Sequence, residues 1–438
     1  MVIPGLFYFY PMDIQQLYEL FITSTGVTTD SRKIEKGQLY FALKGAHFNG
    51  NVFADHALKA EAAYAIIDEE ACKVNERCIL VDNVLNTLQQ LALFHRKKIN
   101  PKAVIAITGS NGKTTTKELV ATVLSYEYRT HFTKGNLNNH IGIPLTLLSM
   151  PFDTEMAVIE MGANHQKEIE SYCKYVEPTH GIITNCGKAH LEGFGGTEGI
   201  RKGKGELYDY LNQHQGRIFV NGDDAVLLDM LHDRTISEYI SYGNKATNIY
   251  NSKILEDNPF LKIWFDGTEI ISNLFGSYNY SNIMCAVAVG KYFDVRTQKI
   301  KQAIEAYNPT NARSQVIEKN GYQLILDAYN ANPTSMQHAL ESFSKSSAKM
   351  KIVILGDMFE LGEHAAKEHQ VIADLCRQLD IDKTILVGHE FLKTTTDDDV
   401  LKFPDTATAH NWFRQQDFSD AEILLKGSRG MKMEKVVE

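Results

Sequence analysis

No apolar run in the sequence approaches the ~18 residues that a membrane-crossing helix needs, so a span readable from hydropathy is excluded. Cysteine is scarce. The six (Cys72, Cys78, Cys173, Cys186, Cys285 and Cys376) are scattered and form no CxxC pair. That argues against a zinc ribbon or a disulfide framework and for thiols in a reducing, cytoplasmic compartment. An excess of positive charge is missing as well. Forty-five Lys and Arg stand against 54 Asp and Glu, a formal charge of −9, whereas a chain devoted to nucleic acid or anionic lipid is usually basic. There are no obvious repeats and no low-complexity tracts. What is there is an ordinary soluble composition, 44% apolar, 23% charged and 10% aromatic over 438 residues. At ~100–200 residues per domain that length suits two to four domains.

The opening MVIPGLFYFYPM is apolar but has no basic start and carries Pro4 and Pro11, so it reads poorly as a signal peptide. Met12 begins a helix-like pattern, DIQQLYELF, and residues 1–11 read as an extension before it. Residues 12–88 form a small α/β unit, with short strands at Gln38–Leu43 and Ala65–Ile67, a helix at His56–Ala62, and a further helix at Gln89–Lys98 leading out of it. From 102 onward β-branched runs alternate with helical stretches: 103–108, 156–161, 181–185 and 217–221, with helices at Thr114–Ser125 and Gly199–Leu211. That rhythm predicts a doubly wound parallel sheet. A hairpin-like stretch (247–275) and helices at 279–292 and 297–306 follow, then a linker at Tyr307–Asn311. Beyond it lie a hairpin (315–328) and strands at 351–357, 383–388 and 422–427, which predict a Rossmann-like layer. The fold class expected is α/β in three domains, 1–88, 89–311 and 312–438.

The strongest local feature is AVIAITGSNGKTTTKELV (103–120). A strand ends at Thr108, Gly109 and Gly112 permit a tight loop, and Lys113-Thr114 open a helix. Backbone N–H groups and the helix dipole hold phosphates in such a loop. Lys113 would reach the terminal phosphates and the Thr114 hydroxyl would face Mg²⁺. The first Gly of the general G-x-x-x-x-G-K-[ST] pattern would fall at Ile107, so the loop is a compressed variant. Glu160 and His190 follow the C-termini of later strands, the edge where open α/β sheets bind ligands. Singly, each reads more blandly as a solvated or satisfied side chain. GIRKGKGELYDYL (199–211) reads blandly as a solvated basic helix start. A desolvated Lys204 beside a metal would behave otherwise, because its neutral amine can take up CO₂ as a carbamate. Two loops, GNLNNHIGIP and LDAYNANP, are rich in Asn, a turn residue that also suits polar substrate contacts.

In combination these motifs resemble the Mur ligase family over essentially the whole chain and in family order. GSNGKTT, GNLNNHIGIP, EMGAN, AHLEGFG, KGE, GSYNYSN, DAYNANP, GDMFELG and KGSRGMKME carry the resemblance. It implies an ATP-dependent amide ligase joining D-alanyl-D-alanine to UDP-N-acetylmuramoyl-tripeptide through an acyl phosphate, in cytoplasmic peptidoglycan precursor synthesis, by a monomer. Gly109, Ser110, Asn111, Gly112, Lys113, Thr114 and Thr115 would bind ATP, with Asn279 and Asn282 on the adenine side and Arg313 and Asp327 closing over the nucleotide. Thr114 and Glu160 would hold one Mg²⁺, and His190 with N6-carboxylated Lys204 a second; Lys113, His190 and Lys204 are the implied catalytic residues. Ser31 and Arg32 would contact the uridine and Asn138 and Asn139 the muramoyl-peptide. Asn330, Asn332, Lys426, Ser428 and Arg429 are further substrate contacts by the same resemblance. Tyr278 stands where the family usually has His, and Asn49-Gly50-Asn51 where Asp-Gly-His is usual. The competing readings are a sibling Mur-type or folylpolyglutamate synthase-like ligase, and a non-catalytic P-loop nucleotide switch.

Overall fold

The computed structural model describes residues 13–257, 259–309 and 312–438. The apolar leader 1–11 and part of the 307–311 linker lie outside these residues. The chain groups into two compact units. The first holds residues up to Val104 with 131–161 and 171–177; the second holds 105–130, 162–170 and everything from Pro178 on.

In the first unit, four short strands pair in parallel in the order Val27–Thr28, Leu39–Phe41, Tyr64–Ile67, Cys78–Leu80. Tyr40, Ala42, Ala57, Ala65 and Ile67 form the core beneath them. The helix Ile14–Thr23 keeps the predicted pattern and turns Leu17, Tyr18 and Phe21 inward. The helix expected at Gln89–Lys98 begins earlier, at Val84, because the Asn83 side chain accepts from the Asn86 N–H and caps it.

In the second unit, five parallel strands run in the order Tyr250–Asn251, Ile240–Gly243, Arg217–Asn221, His180–Ile183, Ala103–Thr108. Every residue of Ala103–Thr108 is buried. That fits a strand covered on both faces, where each Val or Ile contributes about 1.5–3 kcal/mol by leaving water. The helices Lys113–Leu124 and Tyr280–Tyr292 pack on one another, and the second is buried almost all round. A charge introduced at Met284 or Val287 would break this layer. The hairpin-like stretch is a three-stranded antiparallel sheet, Lys253–Glu256, Phe260–Phe265 and Thr268–Phe275.

The last sheet, in the same unit, orders Gln315–Lys319, Tyr322–Asp327, Ala421–Lys426, Met350–Gly356, Lys383–Val387, Leu401–Phe403, antiparallel only at its first pair. The expected α/β class and parallel sheets are therefore present. One local expectation fails. Lys204 does not open a helix: the helix is Thr197–Gln213, starting two residues before the expected Gly199. Lys204 sits about two turns in, beyond the reach of the helix's positive end.

Candidate active site

The phosphate loop is built where the buried strand Ala103–Thr108 meets the helix Lys113–Leu124. Gly109 and Gly112 both have left-handed backbones, φ +140° and +79°. A Cβ at Gly109 would lie 2.0 Å from Thr184 Oγ1, and one at Gly112 2.5 Å from Asn282 Oδ1. Only glycine fits either position. The neighbouring strand end holds the loop in shape. The Asn185 carbonyl accepts from the Ser110 N–H at 2.9 Å and Asn185 Oδ1 from the Asn111 N–H at 3.0 Å. Thr184 Oγ1 and Asn185 Nδ2 donate to the Asn111 carbonyl at 2.6 and 3.1 Å. Ser110 Oγ donates to the Gly187 carbonyl at 2.7 Å. The Lys113 ammonium folds back over the loop, donating to the carbonyls of Gly109 and Ser110 at 2.7 and 3.1 Å. Thr114 and Thr115 are buried behind it.

On one side the loop meets a ladder of side-chain amides. Thr116 Oγ1 donates to Asn282 Oδ1 at 3.0 Å, and Asn282 Nδ2 donates to Asn279 Oδ1 at 2.9 Å. On the other it meets the C-terminal segment. Asn332 Nδ2 donates to Asn111 Oδ1 at 2.7 Å, and Asn111 Nδ2 returns a bond to Asn332 Oδ1 at 3.4 Å. Asn332 Oδ1 also accepts from the Ser335 N–H, capping the helix Pro333–Phe343. The Arg313 guanidinium lies 3.5 Å from the Tyr329 ring centroid. Asp327 is paired with the buried Lys426 at 2.5 Å, and Lys426 also reaches the Asn330 carbonyl at 3.4 Å. Ser428 is buried, donating to the Ala331 carbonyl and accepting from the Phe359 N–H. Arg429 stands exposed, 3.7 Å from Glu434 and 5.7 Å from the Tyr329 ring. The second unit thus brings together every residue expected at the nucleotide, with Asn330, Asn332, Lys426, Ser428 and Arg429 beside it.

His190 adopts a left-handed backbone, φ +53°, at a cost of about 1–2 kcal/mol. Its Nδ1 pairs with Glu360, and that contact holds the Glu360 carboxyl below the usual range. Lys204 is almost wholly buried. It donates to the Ala163 carbonyl at 3.0 Å and lies 4.9 Å from the Phe194 ring centroid. Burial, with the Lys113 charge adding to it, pulls its amine down to about 7. A neutral amine is thus available near neutral pH. Among the described residues no group of three or more His, Cys, Asp and Glu is arranged to hold a metal. A hydroxyl and a lysine carbamate are oxygen donors that suit Mg²⁺, an ion that keeps waters and substrate phosphates as its other ligands, and the His190 imidazole is a softer donor that one of those waters can meet.

In the first unit, Glu160 is buried at the end of Met156–Glu160 and accepts from Asn138 Nδ2 at 2.8 Å. Asn139 Oδ1 accepts from the N–H groups of Ile141 and Gly142 and starts the helix Gly142–Leu148. Ser31 is buried, while Arg32 is exposed and paired with Asp30 at 2.8 Å. Asn51 is fully buried and spends its side chain on Asn49, Asp68 and the Asp68 N–H. It stabilises a loop rather than presenting a free polar group. Sequence reasoning missed Asn185, Thr184 and Ser314. Asn185 had a signal, since it ends a strand next to the phosphate-loop strand; Ser314 had none.

Three family models match in chain order: the Mur ligase family, catalytic domain, over 23–96; the Mur ligase middle domain over 107–290; and the Mur ligase, glutamate ligase domain over 312–429. The UDP-N-acetylmuramoyl-tripeptide--D-alanyl-D-alanine ligase of Bacillus subtilis (strain 168) is 35% identical over 430 residues, covering 94% of this chain and 92% of its own. The ligase of the same name from Escherichia coli (strain K12) is 32% identical over 431 residues, covering 95% and 93%. A crystal structure of MurF from Acinetobacter baumannii superposes with a TM-score of 0.86 at 29% identity, covering 98% of this chain and 99% of that one. The MurF ligase of Thermotoga maritima in complex with ADP, 24% identical with a TM-score of 0.83 over 95% of this chain and 97% of its own, shares the fold.

Proposed function

The chain belongs to the Mur ligase family, and from that premise we propose that it joins D-alanyl-D-alanine to UDP-N-acetylmuramoyl-tripeptide with ATP, in cytoplasmic synthesis of peptidoglycan precursors. One observation carries the reading. Ligases named for this reaction align over nearly the full length of both chains, and the aligned chain contains a complete phosphate loop. A carboxylate and an amine do not condense in water without activation. The γ-phosphoryl group of ATP passes to the terminal carboxylate of the tripeptide, giving an acyl phosphate and ADP. The amine of the dipeptide attacks the acyl carbon, phosphate leaves, and the amine loses its proton.

The residues divide this work. The loop from Gly109 to Thr115 orients the phosphates. Lys113 exchanges its two carbonyl partners for phosphate oxygens and offsets the charge that moves in transfer. Asn279 and Asn282 border the adenine, and Arg313 and Asp327 close the nucleotide from the C-terminal side. Thr114, His190 and a carboxylated Lys204 would hold Mg²⁺ in the second unit, where the ion would neutralise phosphate charge and lower the barrier to attack. Ser31, Arg32, Asn138 and Asn139 serve the UDP-muramoyl-peptide. Asn330, Asn332, Lys426, Ser428 and Arg429 flank the incoming amine. We assign these tasks to domains at 1–88, 89–311 and 312–438 of a monomer.

A panel of UDP-muramoyl-peptides and dipeptides tests the reading. ADP release is expected only when a UDP-muramoyl-tripeptide and D-alanyl-D-alanine are both present, with the pentapeptide product seen by mass. ADP release coupled to glutamate or a diamino acid instead would assign a sibling ligase, and ADP release with no coupled product a nucleotide switch.

A further inference from the structure

Two non-glycine residues with left-handed backbones, Ala312 (φ +55°) and Ser314 (φ +47°), flank Arg313. Such conformations persist only where the surroundings over-determine them, and at Ser314 they do. Its N–H donates to Asp327 Oδ1 at 3.1 Å. Its Oγ lies 2.8 Å from the Tyr278 hydroxyl and accepts from Asn279 Nδ2 at 3.4 Å. The orientation of the Asn279 amide is itself fixed, because its Oδ1 accepts from Asn282 and its Nδ2 also donates to the Phe275 carbonyl at 2.8 Å. The Ala312 carbonyl accepts from the Tyr329 N–H at 3.1 Å, and the Tyr329 ring carries the Arg313 guanidinium at 3.5 Å. Arg313 Nε is buried without a hydrogen-bond acceptor among the described residues. Among the described residues the arginine is held by stacking on Tyr329 and by its neighbours' backbones.

We propose that Tyr278 is a positioning residue: through Ser314, its hydroxyl holds Arg313 and Asp327 in the geometry that receives the nucleotide. The proposal rests on the ATP reading above. It differs from a purine-stacking role for Tyr278, since the group that matters is the hydroxyl and not the ring. Polar contacts run without a break from Thr116 on the phosphate-loop helix through Asn282, Asn279 and Ser314 to Asp327 and Lys426. Tyr278 is the side contact that closes on Ser314. Burial and the Asp327 charge raise the Tyr278 hydroxyl well above the usual tyrosine range, so it stays protonated.

The test uses the full chain and two readouts. Tyr278→Phe keeps the ring and removes the hydroxyl; Ser314→Ala removes the other half of the contact. In ligand-free protein, amide exchange of the 312–318 segment is expected to quicken roughly three- to tenfold in each variant, the scale of one hydrogen bond. The KM for ATP should rise by a similar factor in each with a smaller change in kcat, and the double variant should be no worse than Ser314→Ala, which already removes the contact along with the Asn279 one. A silent Tyr278→Phe, or effects that multiply in the double variant, would overturn the proposal. The exchange measurement needs no turnover. Quickened exchange in a chain that ligates nothing would sink the ligase reading and leave the latch standing; unchanged exchange in an active ligase would do the reverse.

Discussion

Lys426, at the end of the strand Ala421–Lys426, and Lys204, in the helix Thr197–Gln213, are 2% and 1% exposed. Lys426 faces the Asp327 carboxylate at 2.5 Å and two carbonyls. Lys204 has one carbonyl, an aromatic face and, among the described residues, no carboxylate in ion-pairing reach. Burial alone therefore decides nothing about a lysine. With a counter-charge beside it, the side chain clamps two strands. Without one, desolvation favours the neutral amine, a nucleophile toward CO₂.

The comparison breaks most visibly if Lys426→Met is mild. Removing one partner of a buried pair strands the other, so this variant should lose about 3–5 kcal/mol in denaturant unfolding. Lys204→Met should do the opposite. It should keep or raise the unfolding midpoint, because a costly buried amine is gone, while kcat falls by about 10²–10³. Lys202 is exposed on the same helix, and Lys202→Ala should be close to silent in both assays. If Lys204→Met unfolds the protein and spares kcat, the two lysines have the same role.

A pH experiment sharpens the point with a different buried base. Burial lowers His180 to about 4, against an unfolded value of ~6.5. Between those values the unfolded chain binds a proton that the folded chain refuses. Stability should therefore fall as pH drops from about 6.5 to 4, by about 3 kcal/mol in full. His180→Gln should flatten that acid limb in a series of melts. The smallest effect concerns CO₂. Since the Lys204 amine titrates near 7, carbamate forms above that pH and is lost below it. Removing CO₂ at pH 8 should slow ligation several-fold, restored by bicarbonate, and the response should shrink as pH falls through 7. No response at any pH, with full activity, would leave Lys204 a buried amine.

The parts legible in the sequence are those whose physics is local. The run AVIAIT followed by two glycines and Lys-Thr specifies a strand, a tight turn and a helix start within a dozen residues, and the structure has each. The strands at 351–357 and 383–388 were readable for the same reason. What could not be read depends on partners far along the chain. Asn332 reads as a substrate contact from the resemblance and from its Asn-rich loop after a strand; its partner Asn111 is 221 positions away. Asn51 looked like a departure in a sugar site, yet its burial against Asp68 is set by how the first unit folds. The helix carrying Lys204 starts at Thr197, with Gly196 at its cap, two residues ahead of the start that the run from Gly199 suggests.

The reciprocal amide contact between Asn111 and Asn332 has a consequence for solution behaviour. Neither side chain carries net charge or titrates, so the contact is nearly blind to ionic strength and to pH. The neighbouring Lys188–Glu368 pair, 2.7 Å long with a half-exposed lysine, is screened by salt. Raising the salt concentration should therefore weaken the second tie between the phosphate-loop region and the C-terminal segment while leaving the first intact. The docking of that segment should loosen in part, at its ion pairs and not at its amide contact.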